Sequence, residues 1–200
     1  MIKALFFDLG GVLLRTQNRS IREKLGQEFG MTYDQIDSFV FESQSSKLAS
    51  IGRISEDEHW MDVTRRLGLD ASHMPRLRDT FFAGDVLDME LVNFLRQSHG
   101  TYKTGLISNA WSGLRPWILR EKFDDAFDHM VISAEAGFAK PDPRIYQLAM
   151  EKLGVLPEES IFVDDVQKNI DAANNLGMKG ILFKDSHTTL DQIHNSCGTE

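Results

Sequence analysis

Cysteine is almost missing from this chain: Cys197 is the only one among 200 residues. No intramolecular disulfide is open to it, which fits a reducing, cytoplasmic setting. Cys197 lies in a polar tail, HNSCGTE, with nothing beside it placed to activate the thiol. It therefore reads as an incidental exposed thiol rather than a nucleophile. Basic charge is scarce too. Lys and Arg number 22 against 30 Asp and Glu, the formal net charge is −8, and no Lys/Arg cluster offsets that balance. This argues against a nucleic-acid partner gripped by a broad basic face. An anionic substrate must then be held by a few local cations or by a metal. No stretch approaches the roughly 20 apolar residues of a membrane helix, so no membrane partner is expected. The opening MIKALFFDLGGVLL has one lysine ahead of apolar residues, as a signal peptide has, but Asp8 interrupts the run and no A-x-A cleavage site follows. Internal repeats and low-complexity tracts are also missing, and nothing in the sequence fixes an oligomeric state.

What is present is ordinary globular composition, 42% hydrophobic and 26% charged, enough for one good-sized domain or one with a modest insertion. Residues 2–7 (IKALFF) form a continuous apolar run, as expected of a strand covered on both faces. From about Arg15 to Gly84 strand signals vanish and helical periodicity replaces them. Ile21, Leu25 and Phe29 share one face; Thr32 caps a second helix carrying Ile36, Phe39 and Val40. Ser55 and Glu58 form a capping box ahead of Trp60, Val63 and Leu67; Met74, Leu77 and Phe81 make a fourth face. Four such segments with short connections predict a small helical bundle. Beyond Gly84 helices alternate with strands: helices near 88–98, 117, 143–153 and 167–176, strands near 102–107, 131–133, 161–164 and 180–183. Repeated β-α units predict an α/β fold, a Rossmann-like parallel sheet with helices on both faces. The expected division is a core of residues 1–14 and 85–200 with a helical cap at 15–84. No G-x-G-x-x-G follows the first strand, which disfavours a dinucleotide binder of another class.

Ligands of such sheets bind beyond the carboxyl ends of the strands, and chemistry-bearing residues gather there. Asp8 ends the first strand, Ser108 and Asn109 end LISN at 106–109, and Asp164 and Asp165 end IFVDD at 161–165. If the first and last of these strands are neighbours, three carboxylates converge and repel one another. A hard divalent cation such as Mg²⁺ relieves that repulsion. Each acid taken alone reads as a turn cap; the three together do not. Ser108–Asn109 offers a hydroxyl, an amide and main-chain N–H groups to an oxyanion. Lys140, held ahead of Pro141 and Pro143, suits the neutralisation of a phosphoryl group.

In this order the pieces resemble the haloacid dehalogenase-like hydrolases. FFDLGGVLL is similar to the first motif of that family, LISN to the second, Lys140 with PDP to the third, and IFVDDVQKNIDAANNLGM to the fourth. The resemblance implies a phosphatase acting on a small phosphorylated metabolite, with Asp8 the nucleophile that forms an aspartyl-phosphate. It implies Mg²⁺ as cofactor, held by Asp8, the Gly10 carbonyl and Asp165, with Asp164 a partner of the outer shell. Ser108 and Asn109 would hold the phosphoryl oxygens, and Lys140 would balance the charge on Asp8 and on the phosphoryl group.

One position departs from the pattern. Most phosphatases of the family carry a second aspartate two residues after the nucleophile, and here that residue is Gly10. General acid–base help of that kind is worth about 10²–10⁴ in rate. Three readings follow. The substrate has a leaving group that needs little protonation, such as an aryl phosphate or a sugar 1-phosphate. Alternatively a water or a cap residue supplies the proton. Or the chain is a 2-haloacid dehalogenase in which Asp8 attacks carbon, although that chemistry needs no metal. A non-catalytic binding protein on the same fold is a further alternative. Within the cap, His59, Trp60 and Arg15 are candidate substrate contacts; Trp60 also matches the buried stripe of its helix.

Overall fold

The computed structural model describes residues 1–198. Its central sheet has five parallel strands, β1 (Ala4–Phe7), β4 (Lys103–Ser108), β5 (His129–Ile132), β6 (Ser160–Asp164) and β7 (Lys179–Leu182), in the order β5-β4-β1-β6-β7. The first strand of the chain thus lies at the middle of the sheet. All four of its residues are buried because both faces are covered. Leu5 and Phe7 point into one apolar layer with Leu106, Ile161 and Val163; Ala4 and Phe6 point into the other with Ile107 and Phe162. That alternation is the two-residue period of a strand.

Helices α6 (Met89–Ser98), α7 (Leu114–Glu121) and α11 (Ser186–Cys197) supply Leu91, Leu95, Ile118 and Ile193 to the first layer. Helices α9 (Pro143–Leu153) and α10 (Gln167–Asn175) close the second with Ile145, Tyr146, Leu153, Ile170 and Ala173. A short helix, α8 (Ser133–Ala136), follows β5 directly. Among the described residues no helix is long and apolar enough to cross a membrane.

Between β1 and α6 stand five helices rather than the expected four: α1 (Arg19–Glu28), α2 (Tyr33–Phe41), α3 (Gln44–Ala49), α4 (Glu56–Arg66) and α5 (Met74–Phe82). Both anticipated caps form, a capping box from Thr32 and Gln35 and another from Ser55 and Glu58. Helix α3 escapes periodicity analysis because it is six residues long and mostly polar; Ser43 caps it. The insert has its own apolar cluster, which includes Leu25, Ile36, Trp60, Val63 and Phe81.

The chain enters and leaves this insert through an unexpected antiparallel ribbon of β2 (Leu14–Thr16) and β3 (Asp85–Leu87). Asp85 anchors it, accepting from Thr16 Oγ1 at 2.6 Å and from the buried Arg22 at 3.0 Å. Arg22 also binds Asp37 and the Phe81 carbonyl, so one guanidinium ties three elements of the insert to its stalk.

Two further expectations are corrected. Cys197 is not in a free polar tail. It ends α11, half-buried against the first apolar layer, because Asp185 caps that helix by accepting from the Thr188 N–H. Thr199 and Glu200, the rest of the tail, lie outside the described residues. Arg15 is already engaged within the protein: it pairs with Asp88 at 2.5 Å, donates to the Val12 carbonyl and lies over Phe183.

Candidate active site

β1 is hydrogen-bonded to β6 with Phe7 opposite Val163. Asp8 and Asp164 therefore emerge side by side at the carboxyl edge. β4 on the other side of β1 brings Ser108, 2% exposed, to the same edge. Asp8, Asp164 and Asp165 offer carboxylate oxygens that all lie within 4.8 Å of one another.

Lys140 is the cation among these acids. It is buried, and its Nζ lies 2.9 Å from Asp8 Oδ1 and 2.7 Å from Asp164 Oδ2. A solvated loop lysine would have neither contact. Asp8 Oδ1 also accepts from the Leu9 N–H at 2.7 Å, so both close contacts fall on one oxygen and leave Oδ2 for chemistry. Asp164 is held more completely, accepting from Lys140, from the Val166 N–H and from the Asn169 amide. Those bonds fit it for fixing Lys140 rather than for meeting a ligand. Asn169 itself presents a buried Oδ1 with no partner.

Even with Lys140 present the site has an excess of negative charge. Burial, and then the Asp164 carboxylate, push the Asp8 carboxyl up to about 7 against the pull of Lys140. Partial burial and Asp164 raise Asp165 as well. A divalent cation held among these oxygens would oppose both shifts, since opposite charge at this range favours the ionised form. The donor set of hard carboxylate oxygens suits Mg²⁺.

Asp165, unlike Asp164, is exposed, and its carboxylate lies over Gly11. Gly11 has φ +79°, and a Cβ built there would sit 2.1 Å from Asp165 Oδ2. Only glycine admits both the turn and the acid. Gly10, where the acid/base was expected, is different: it lies outside the left-handed region and a Cβ there would meet nothing within 4 Å. The space for a side chain exists, but the side chain does not.

Asn109 also differs from expectation. Its Oδ1 accepts from the Lys140 N–H at 2.7 Å and its Nδ2 donates to the Lys140 carbonyl at 2.9 Å. The amide is spent on pinning the lysine loop, which leaves main chain rather than side chain for an oxyanion. Ser133 Oγ pins the next residue, accepting from the Ala110 N–H and donating to its carbonyl. The Asn109–Lys140 pairing joins the segments beyond β4 and β5 and has no local sequence signal. His59 and Trp60 are both wholly buried inside the insert, so neither meets a ligand in this conformation.

An aspartate at the end of a central parallel strand, clamped by a lysine and flanked by two more acids, defines a hydrolase site of the α/β class. The chain belongs to the haloacid dehalogenase-like hydrolases, a family it matches over residues 2–177. Glyceraldehyde 3-phosphate phosphatase of Pyrococcus furiosus is 29% identical to it, over 92% of this chain and 81% of that protein. Bifunctional epoxide hydrolase 2 of Sus scrofa is 27% identical over 100% of this chain, which spans only 39% of that protein. Among solved structures, a HAD family enzyme of Bacteroides thetaiotaomicron in complex with magnesium and inorganic phosphate has a TM-score of 0.77 at 24% identity. The alignment covers 95% of this chain and 99% of that one. That last likeness is one of fold.

Proposed function

We propose that this chain is a Mg²⁺-dependent phosphomonoester hydrolase that acts on a small phosphorylated metabolite through an aspartyl-phosphate at Asp8. The observation that carries this reading is Lys140 bridging Asp8 and Asp164 while Asp165 stands free beside them. The phosphatases among the relatives support it. In the reaction Asp8 Oδ2 attacks phosphorus as the bond to the leaving oxygen breaks. Water then attacks the same phosphorus, the bond to Asp8 breaks, and phosphate leaves. Lys140 holds Asp8 in line and offsets its charge; Ser108 and the main chain at Asn109 hold phosphoryl oxygens. Asp8, Asp165 and the Gly10 carbonyl would hold Mg²⁺, with Asp164 fixing Lys140 behind them. When bound, the cation would supply charge neutralisation at the phosphoryl group and keep Asp8 ionised. Positioning and neutralisation are most of what phosphoryl transfer requires.

Because residue 10 has no acid, the leaving oxygen departs without a proton from that position. We therefore infer a preference for good leaving groups, sugar 1-phosphates and aryl phosphates ahead of ordinary alkyl phosphates. The insert at 15–84 would act as a cap that excludes water and selects the substrate. A dehalogenase reaction at Asp8 shares the missing acid, but it leaves Asp165 and the raised carboxyls without a purpose.

The test is phosphate release from a panel of aryl, sugar 1- and alkyl phosphates, with Mg²⁺ and with EDTA, beside Asp8→Asn. Metal-dependent release that disappears in Asp8→Asn supports the reading. Halide release from 2-haloacids with no phosphate release would replace it.

A further inference from the structure

The segment that leaves β4 is held from two sides. Asn109 and Ala110 are bonded to the sheet domain, through Lys140 and Ser133. Ser112 and Gly113 are bonded to the helical insert instead. The Glu56 N–H donates to Ser112 Oγ at 3.1 Å, and Glu56 Oε2 accepts from the Gly113 N–H at 3.0 Å. Between these anchors Trp111, only 7% exposed, leaves the sheet domain and joins the apolar cluster of the insert. Its ring stacks on Phe41 with centroids 5.6 Å apart, lies 4.3 Å from the His59 ring and meets Trp60 edge-on at 5.9 Å.

This clasp is not built for stability alone. His59 Nε2 is buried in it without a hydrogen-bond partner, a cost that an apolar side chain of the same shape would avoid. A second close approach lies beside it: a Cβ on Gly52 of the insert would come within 2.1 Å of the Ala134 carbonyl, next to the Ser133 that pins Ala110. The insert therefore grips the main chain immediately beyond Ser108–Asn109.

We propose that Trp111 is a positioning residue of the active site, through which the seating of the insert fixes the main chain at Ser108–Asn109 that grips the phosphoryl group. Trp111 touches no substrate; Glu56 assists it by holding Gly113. The inference rests on the phosphatase reading for its catalytic consequence, but not for its mechanical one. A seated insert gives a correctly placed phosphate loop, and an unseated one leaves the loop free by an ångström or so. Misplacement on that scale costs about 10²-fold in rate.

The test compares Trp111→Ala with Trp111→Phe, and Glu56→Ala with Glu56→Gln, by p-nitrophenyl phosphate hydrolysis and by amide hydrogen exchange. Trp111→Phe keeps an aromatic ring in the cluster, and Glu56→Gln keeps an acceptor for the Gly113 N–H. The expected result is a fall in kcat of about 10²-fold for Trp111→Ala and about 10-fold for Glu56→Ala. KM and the Mg²⁺ requirement stay near wild type, the two conservative variants recover most of the rate, and exchange quickens at residues 108–110. A general loss of structure would instead raise exchange across the sheet, and if Trp111→Ala does not fold, the Glu56 pair decides the matter. Folded alanine variants with wild-type kcat and unchanged exchange at 108–110 overturn the proposal. If the wild type releases no phosphate from any ester, the phosphatase reading fails by itself. The exchange comparison then still decides whether the insert holds this loop.

Discussion

Adjacent glycines of the first motif should respond in opposite ways to the same change. At Gly11, alanine brings two penalties. Holding an alanine at φ +79° costs about 1–2 kcal/mol in the left-handed region. Its Cβ also arrives 2.1 Å from Asp165 Oδ2 and 2.4 Å from Cγ, so the carboxylate must swing away. The strain alone lowers Tm by about 2–8 °C for a chain of this size. Even the outer partners of metal ligands are worth about 10–100-fold in metal affinity, so displacing Asp165 raises the half-saturating Mg²⁺ concentration by about 10² or more. At Gly10 neither penalty exists, and Gly10→Ala should keep both Tm and Mg²⁺ dependence. The assay is calorimetric Mg²⁺ binding beside Mg²⁺ titration of phosphate release, with thermal melts in EDTA. A Gly11→Ala protein that binds Mg²⁺ like the wild type would refute the placement of Asp165 as a ligand. Equal damage at Gly10 would refute the reading of the open space there.

Three other outcomes are expected. Gly10→Asp places a carboxyl where nothing obstructs it and should raise turnover of alkyl phosphates more than of aryl phosphates, by up to about 10²-fold; equal gains for both would mean that leaving-group protonation is not limiting. Lys140→Met leaves Asp8 and Asp164 facing each other without their cation, which costs about 3–5 kcal/mol. In metal-free buffer its Tm should be lower at pH 8 than at pH 5, because the uncompensated acids prefer to hold protons, and a flat profile would contradict the pairing. His59 is buried, and desolvation depresses its imidazole to about 4. The unfolded chain therefore binds the extra proton as pH falls below about 6.5, so stability present at pH 7 declines by on the order of 2 kcal/mol towards pH 4. Urea melts of wild type and His59→Gln between pH 7 and 5 should diverge accordingly, and parallel curves would show that the ring is already wet.

Periodicity carried most of the architecture. The alternation after Gly84 identified the other four strands of the sheet, and IKALFF reads as the doubly covered strand that β1 is. What escaped were elements too short or too polar to show a period: α3, the three-residue partners of the stalk, and α11, whose start is visible only as Asp185 ahead of Thr188. The acids of the site were legible because they interrupt apolar runs, which places them at strand ends. Their division of labour was expected only from the family resemblance, not from the residues themselves. That Asp164 serves Lys140 while Asp165 faces outward depends on side-chain rotation and on the glycine at 11. The spending of Asn109 on Lys140 and the loss of Arg15 to Asp88 are pairings between distant segments. Such pairings leave no local trace. Trp111 was overlooked for the reverse reason. A lone aromatic after a turn looks like part of its own domain, and here it belongs to the other.

The central place of β1 also bears on how the protein is made. Ala4 pairs on one side with Lys103 and on the other with Ser160. The strand that leads to Asp8 has no partner until β4 has emerged, and no second partner until β6 has followed it. A hydrophobic strand must wait unpaired while the insert and α6 are made, and such waiting strands attract chaperones and other nascent chains. The helices between β2 and β3, rich in local contacts, can form during that interval. The order of synthesis thus gives the insert time to settle before the sheet that carries it is complete.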